Sequence, residues 1–219
     1  MWLVGIIASD GDLRKQSKIR ANRKKPYHTY RFRISNQNPD IINKAERIMK
    51  NIGLRISKDN KRNTISSNNT IIGLILNKLG LPFGKKSKTL ELSEEFFKQN
   101  DEGIGGFLSG LFDGDGNYNA KPCQIRIGTG SKKFAFQLQS ILLRLGFLSK
   151  IEVFDKNEER IIKGKKAVFT GKFYSVELYQ KRDVKRFLEL KEIVKIRNKN
   201  INWRFTKNND ANLFYVKIK

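Results

Sequence analysis

The chain has 219 residues, enough for one large domain or two small ones, and 38% of them are hydrophobic, which is adequate for a buried core. The sequence holds 45 Lys and Arg residues against 21 Asp and Glu residues, so the formal net charge is +24. Such a charge opposes compaction by self-repulsion, and a polyanionic partner is its usual explanation. Nucleic acid is favoured over an anionic membrane, because no basic amphipathic helix stands out as an anchor.

Cys123 and His28 are the only residues of their types. A single cysteine forms no disulfide framework, which favours an intracellular protein. A single histidine argues against a zinc site or a nuclease built on several histidines. Residues 2–8 are apolar but too short to span a membrane, and no basic segment precedes them, so we expect neither an anchor nor a signal peptide.

The first predicted element is an apolar helix that ends in an acidic residue and a glycine. Residues 3–11 read LVGIIASDG, with Asp10 in the last turn. A strongly basic loop follows. After it, Tyr30, Phe32 and Ile34 alternate with polar residues, as they do in a half-buried strand. A helix and then a strand are therefore predicted, with a basic loop between them.

Two helices and a hairpin complete this first unit. Apolar residues recur at helical spacing over 41–52, and Gly53 stops that helix. Alternating residues at 54–57 and 63–66 predict a hairpin. Residues 70–79 predict the closing helix.

A second apolar run near the middle of the chain repeats the first. Residues 108–116 read LSGLFDGDG, with Asp115 in the last turn. Asn100, Asp101 and Glu102 precede the run and are typical of a helix start. The same order of elements follows: a strand at 124–127, a helix at 134–145 that Gly146 stops, a hairpin of 150–153 with 174–178, and a closing helix at 184–194.

The spacing of equivalent residues supports a duplicated αββαββα unit. Ile34 and Ile127 are 93 residues apart, whereas Asp10 and Asp115 are 105 apart, so the first repeat is 12 residues longer in the basic loop after its motif. The second repeat has its own basic loop between its hairpin strands. The predicted domains are a first repeat over 1–83, a linker over 84–103, a second repeat over 104–203 and a C-terminal tail over 204–219.

The two acidic motifs predict a paired carboxylate site. Asp10 and Asp115 fall at the negative ends of two helix dipoles, an unfavourable position that a divalent cation would offset. Gly5 and Gly110 each weaken a helix by about 1 kcal/mol relative to Ala, which makes sense if the two helices approach closely. That packing brings the two carboxylates together, where they would repel each other unless metal bridges them. A two-metal phosphodiesterase needs this arrangement.

The segments LVGIIASDG and LSGLFDGDG resemble the paired motifs of the LAGLIDADG homing endonucleases. The resemblance covers nearly the whole chain. It implies an α+β fold in which two antiparallel, saddle-shaped sheets flank motif helices packed at a pseudo-twofold interface. It also implies a site-specific endonuclease that hydrolyses phosphodiester bonds on both strands of a long DNA site and leaves short 3′ overhangs.

The resemblance also implies the roles of individual residues. The metal-binding role carries over to Asp10, Asp115, Gly11 and Gly116. The implied metal is Mg²⁺, with Mn²⁺ able to substitute and Ca²⁺ able to bind without supporting cleavage. The sixth motif position, Ala8 or Asp113, is not a metal ligand in the family. A Lys or Gln after the first strand of each unit helps to position water, and Gln37 and Lys132 are the candidates for that catalytic role.

Strand alternation assigns residues to the DNA face. Tyr30, Phe32, Ile34, Ile125 and Ile127 point into the core, so their neighbours lie on the opposite face. Arg suits guanine edges and Gln suits adenine, while loop lysines bind phosphates. The predicted DNA-binding residues are Arg14, Lys24, Lys25, Arg31, Arg33, Ser35, Arg55, Asn117, Asn119, Gln124, Arg126, Lys150, Glu152 and Glu177.

Two alternatives to the nuclease stay open. An RNA maturase that assists intron splicing fits the charge equally well and would add intron RNA as a partner. A non-cleaving DNA-binding regulator would keep the fold without the site. Retention of both motif acids favours the nuclease, because a pure binder has no need of them. We expect a monomer that binds double-stranded DNA and no membrane, in a mitochondrion or other organelle or in microbial cytoplasm.

Overall fold

The computed structural model of the chain describes residues 1–18, 27–162, 165–190 and 193–194. They form two units with the same order of elements, as predicted. The first unit contains α1 (Trp2–Asp10), β1 (Gly11–Lys18), β2 (Tyr27–Ser35), α2 (Pro39–Asn51), β3 (Ser57–Asp59), β4 (Thr64–Asn68) and α3 (Thr70–Lys78), with a 3₁₀ turn at Asn60–Arg62. A short helix, α4 (Glu94–Phe97), leads to the second unit, which contains α5 (Asp101–Asp115), β5 (Gly116–Asn119), β6 (Gln124–Thr129), α6 (Lys132–Arg144), β7 (Ser149–Ile162), β8 (Lys165–Leu178) and α7 (Lys181–Leu188).

Each unit holds one antiparallel four-stranded sheet. The strand order is β1-β2-β4-β3 in the first sheet and β5-β6-β8-β7 in the second. The glycine after each motif acid pairs with the equivalent isoleucine: Gly11 with Ile34, and Gly116 with Ile127. The two sheets therefore share topology and register, and the extra residues of the first unit lie in the β1–β2 hairpin.

Two basic stretches that the sequence predicted to be loops are strands in part. Residues 11–18 form β1, in which Leu13 is buried among polar and charged neighbours that hide the alternation. In the second unit, β7 and β8 continue past the predicted hairpin as an antiparallel ribbon whose last pair is Ile162 with Lys165. The closing helix was predicted over 184–194, whereas α7 spans Lys181–Leu188.

The core forms on the faces that strand alternation predicted. Phe32 and Ile34 are 0% exposed, and Ile125 and Ile127 are at most 2% exposed. These side chains pack under α2 and α6, whose apolar residues complete one hydrophobic cluster with the motif helices. No helix in the described part of the chain is long and apolar enough to cross a bilayer.

Residues 84–103 are packed against both units and do not form a free connection. The Gly84 amide donates to the Leu13 carbonyl at 2.8 Å. The Leu92 backbone exchanges two hydrogen bonds with the Gln137 side chain, at 2.8 and 2.7 Å. The predicted linker also contains the start of α5, which begins at Asp101. With the hydrogen bonds that Lys86 donates to the Ile7 and Ser9 carbonyls, this segment connects α1, β1 and α6.

The two motif helices, α1 and α5, pack side by side through their glycines, as predicted. A Cβ atom on Gly5 would lie 2.0 Å from the Phe107 carbonyl oxygen, and one on Gly110 would lie 2.1 Å from the Trp2 carbonyl oxygen. Both distances are far below a van der Waals contact, so the two backbones touch where the glycines cross. The crossing is reciprocal, as the duplicated sequence requires.

Candidate active site and nucleic-acid face

The two motif carboxylates lie at the same end of the paired helices. Asp10 is the last residue of α1 and Asp115 is the last residue of α5. A Cβ atom on Gly114, the residue before Asp115, would lie 3.2 Å from Asp10 Oδ2. The helix crossing therefore delivers the Asp10 carboxylate to the end of the other helix.

The glycine after each motif acid is required for space and not for a left-handed turn. Gly116 ends α5, but it does so in an extended conformation and not in the left-handed one typical of a glycine C-cap, and Gly11 is extended too. Each chain runs straight from helix into strand. Space is what requires glycine, since a Cβ on Gly11 would lie 2.6 Å from the Ile7 Cα atom and one on Gly116 would lie 2.2 Å from the Phe112 ring.

Asp10 lines a cavity of about 430 Å³ together with Asn36, Gln37 and Arg62. The Asn36 amide donates a hydrogen bond to Asp10 Oδ2 at 2.5 Å. Gln37 is exposed in the same cavity, which agrees with its predicted place beside the first acid. Sequence reasoning missed Asn36, although it is the residue next to Gln37, and it missed Arg62, which reaches the cavity from the 3₁₀ turn.

Asp115 lines a second cavity, of about 290 Å³, with Lys86, Thr129, Gly130 and Phe173. The Lys86 ammonium group donates to the carbonyls of Ile7 and Ser9, both at 2.5 Å, and so satisfies the C-terminal end of α1. Lys86 therefore contacts one motif helix while sharing a cavity with the acid of the other.

Burial lowers the pKa of Lys86 from 10.5 to about 8, and the negative charges of Asp115, Asp10 and Asp12 oppose part of that shift. Lys86 therefore stays mostly protonated at neutral pH but holds its proton less tightly than an ordinary lysine. The sequence shows Lys86 only as one of several lysines at the start of the predicted linker. No sequence signal separates it from Lys85, which is exposed.

Lys132, the predicted partner of Asp115, is an exposed residue in the first turn of α6 and does not line the cavity of either acid. The lysine that shares the Asp115 cavity is instead Lys86, from the segment between the two units. The catalytic role of Lys132 stays a prediction that its placement does not favour.

Asp113, at the sixth motif position, is 1% exposed and is engaged inside the protein. It accepts a hydrogen bond from Trp2 Nε1 at 2.7 Å and from the Val194 amide at 2.8 Å. Asp113 thus joins α1 to the segment after α7. Asp113 also lines the cavity of Asp10, and its expected lack of a metal-binding role stays a prediction.

The donor set suits a hard divalent cation that its substrate helps to hold. Within the described residues, no three Asp, Glu, His or Cys side chains come together as an all-protein metal cage. Asp10 and Asp115 supply carboxylate oxygens at two helix ends. Mg²⁺ is usually bound through one or two carboxylates, several waters and substrate phosphates, so the pair fits it. Metal binding by Gly11 and Gly116 stays a prediction.

The outer face of the first sheet is basic, as predicted. Cross-strand pairing places Asp12 beside Arg33 and Arg14 beside Arg31 on one face. Arg33 Nη2 lies 2.6 Å from Asp12 Oδ2, and Arg14 Nη2 lies 3.2 Å from the same oxygen. Of the other predicted residues of this unit, Ser35 and Arg55 are exposed, whereas Lys24 and Lys25 lie outside the described residues.

The outer face of the second sheet departs from prediction at two residues. Asn117, Arg126 and Lys150 are exposed or half-exposed there. Gln124 and Glu177 lie on the same face but are 6% and 0% exposed, so neither is placed to contact DNA directly. Their amide and carboxylate groups are hydrogen-bonded to each other. Asn119 and Glu152 are half-buried. Alternation gives the face of a residue but not whether its neighbours cover it.

Comparison with known proteins identifies the second unit. Residues 102–192 match the model of the LAGLIDADG-like domain. This range holds α5 with Asp115, the second sheet and α7. The first unit shares the topology and register of the second, so the resemblance of the first motif is supported by structure.

Two curated relatives come from Methanocaldococcus jannaschii. A probable translation initiation factor IF-2 is 25% identical over 175 residues, which cover 78% of this chain and 14% of the relative. The DNA-directed RNA polymerase subunit Rpo1C is 28% identical over 159 residues, which cover 72% of this chain and 17% of the relative. The chain thus spans less than a fifth of the length of the curated relatives it matches.

Solved structures of the homing endonuclease I-DmoI have the same fold. Mesophilic variants of I-DmoI superpose with a TM-score of 0.58 at 19% identity, covering 85% of both chains. The complex of I-DmoI with DNA and Ca gives a TM-score of 0.58 at 18% identity, also over 85% of both chains. At this level of identity, the likeness establishes the α+β fold of two antiparallel sheets around paired motif helices.

Proposed function

We propose that this chain, a LAGLIDADG protein with two repeats, is a metal-dependent endonuclease that cuts both strands of a long, specific site in double-stranded DNA. The observation that carries the proposal is the delivery of Asp10 and Asp115 to one end of the crossed helices, each at the start of a sheet with a polar or basic outer face. A single chain supplies both acids, so a monomer is sufficient.

The relatives support this proposal in two ways. Variants of I-DmoI have been crystallised with their target DNA in the presence of Mn and of Mg, and I-DmoI itself with DNA and Ca. The two M. jannaschii proteins have names that describe unrelated activities, and each matches this chain over a small part of its length. The similarity therefore lies in a module that they share and not in their activities.

The two carboxylates would hold the metal, which when bound activates a water and stabilises the leaving oxygen of a phosphodiester. Asn36 fixes the orientation of the Asp10 carboxylate by its hydrogen bond. Gln37 is exposed beside it, and its side-chain amide can donate to or accept from a water at the scissile phosphate. These residues orient the reacting groups of one strand.

Lys86 would have two roles: it would assist cleavage of the second DNA strand, and it would stabilise the crossing of the two motif helices. Its two hydrogen bonds fix the end of α1, and its positive charge offsets repulsion between the two carboxylates. A cation in this position also stabilises the negative charge that develops on a phosphate during hydrolysis. With one histidine in the chain, we infer that bound water and not a histidine removes the proton of the attacking water.

Cleavage of a randomised double-stranded DNA library with Mg²⁺ tests the proposal, with an Asp10→Asn, Asp115→Asn double variant in parallel. We expect specific cuts on both strands from the wild type, with short 3′ overhangs, and none from the variant. A wild type that binds DNA or intron RNA and leaves it intact with both Mg²⁺ and Mn²⁺ would instead be a maturase or a non-cleaving regulator.

A further inference from the structure

Glu177 is buried in the middle of the second sheet's outer face. Its side chain is 0% exposed, and on the neighbouring strands it pairs with Arg126 and with Lys150. A buried carboxylate is costly unless charges and hydrogen-bond donors surround it. The groups that surround Glu177 therefore carry information about the function of this face of the sheet.

Four side chains converge on the Glu177 carboxylate. Oε1 accepts a hydrogen bond from the Ser175 hydroxyl at 2.9 Å and lies 2.9 Å from Arg126 Nε. Oε2 accepts a hydrogen bond from the Gln124 amide and lies 3.5 Å from Lys150 Nζ. Both oxygens are thus engaged from within the face, so Glu177 itself cannot touch a base.

Arg126 is the member of this cluster that reaches solvent. Its Nε–H is not aligned with Glu177, so the contact is an ion pair rather than a hydrogen bond. The side chain is 42% exposed, which leaves the terminal guanidinium nitrogens available. A fork of two donors matches O6 and N7 of guanine. A fork that is already oriented loses less conformational freedom when it binds.

The cluster is also neutral, in a chain whose net charge is +24. Arg126 and Lys150 carry two positive charges, and Glu152 and Glu177 carry two negative charges, with Lys150 hydrogen-bonded to Glu152 as well. Phosphate binding depends on uncompensated positive charge, whereas base recognition depends on the direction of donors and acceptors. A neutral, ordered cluster is therefore suited to base recognition.

We propose that Glu177 is a positioning residue for sequence specificity, which orients Arg126 to read one guanine in the half of the DNA site beneath the second sheet. The inference rests on the proposed DNA-binding function. Glu177 acts only through Arg126, so a variant of either residue changes the preference at the same base pair.

The test is selection from a randomised double-stranded DNA library by binding, with Ca²⁺ in place of Mg²⁺, followed by sequencing of the bound fraction. We expect the wild type to prefer guanine at one position by about 10-fold, as a bidentate contact allows. Arg126→Gln removes that preference, and Glu177→Gln weakens it about 3-fold or more at the same position only. Glu91→Gln, which removes a charge from an exposed ion pair with Lys133 away from the face, leaves the profile unchanged.

A purely structural role for Glu177 would lower the Tm and the affinity for every sequence alike, with an unchanged base profile, and would overturn the inference. An unchanged profile in Arg126→Gln would overturn it too. If Glu177→Gln does not fold, Glu177→Asp keeps the charge but withdraws it by one methylene and should weaken the same preference. A wild type that selects no sequence contradicts the proposed function itself, and the inference falls with it.

Discussion

The two repeats have the same backbone plan but different side chains around the two motif acids. Asp10 is held by Asn36 in a cavity that also contains Gln37 and Arg62, whereas Asp115 shares its cavity with Lys86. Topology and register are retained because they determine which residues are buried. Side chains at the site are not constrained by that core, so duplicated units can diverge there. The two strands of a target would therefore meet unlike groups.

The largest effect should come from removing either motif carboxylate. We expect Asp10→Asn and Asp115→Asn each to lower double-strand cleavage by on the order of 10³-fold or more, because each would remove a carboxylate that we propose holds the metal, whose contribution is several kcal/mol. Single-turnover cleavage of a supercoiled plasmid carrying the selected site measures this. Asp113→Asn is the matched control, since that carboxylate also lines the Asp10 cavity but accepts hydrogen bonds from Trp2 Nε1 and the Val194 amide. An equal loss of cleavage in a folded Asp113→Asn protein would contradict the assignment.

Lys86 should be the next most sensitive residue. We expect Lys86→Met to lower cleavage by about 10²-fold with little change in DNA affinity, because the charge acts on the developing phosphate charge. Lys85→Met, which changes an exposed neighbour, should leave the cleavage rate within about 3-fold of the wild type. A rate unaffected by Lys86→Met would return the second-strand role to Lys132.

The pKa of Lys86 makes a separate prediction about stability. The folded-state pKa, about 8, is below the ordinary value of 10.5, so the unfolded chain holds this proton more tightly. The free energy of unfolding attributable to Lys86 should therefore increase as pH rises from about 8 towards 10.5. Urea unfolding of the metal-free protein at several pH values measures this, and the free energy of unfolding of the wild type minus that of Lys86→Met should increase over the same range.

The helix crossing can be tested at matched glycines. We expect Gly5→Ala and Gly110→Ala to lower the free energy of unfolding by about 1–3 kcal/mol or more, because each new Cβ would overlap a backbone carbonyl of the partner helix. Gly105 lies in α5 as well, but its nearest neighbour would be 3.7 Å from a Cβ, so Gly105→Ala should stabilise the protein by about 0.5–1 kcal/mol. Destabilisation by all three substitutions alike would mean that helix contact is not the cause.

The smallest effects on cleavage are expected at Gln37 and Lys132, the two residues for which the sequence predicted a role in positioning water. Gln37 is in the cavity of Asp10, so Gln37→Ala should slow cleavage of one strand by about 10-fold. Lys132 is exposed in the first turn of α6, so Lys132→Ala should not change either strand. Nicking of each strand, followed separately with end-labelled DNA, gives both rates.

Much of the fold could be predicted from residue pattern alone. Three features were enough: the alternation at Phe32 and Ile34, the helix ends at Gly53 and Gly146, and the constant spacing between the repeats. Each depends on local conformational preference or on burial, and both can be recognised from residues that are close together in the sequence. The β1 strand could not be predicted in this way, because Leu13 is its one buried apolar side chain among those described. The ribbon of β7 and β8 was hidden for a similar reason, since its basic residues are typical of loops.

The candidate site also has some features that the sequence predicted and others that it did not. The sequence by itself determined the two motif acids, the glycines that let their helices touch, and the faces of the strands, because each depends on spacing within one element. Only the tertiary structure placed Lys86 beside Asp115, Asn36 on Asp10, and Glu177 beneath Arg126. Each of these contacts joins residues from different elements, and the charge, burial and pKa of a side chain depend on the neighbours that the fold brings to it.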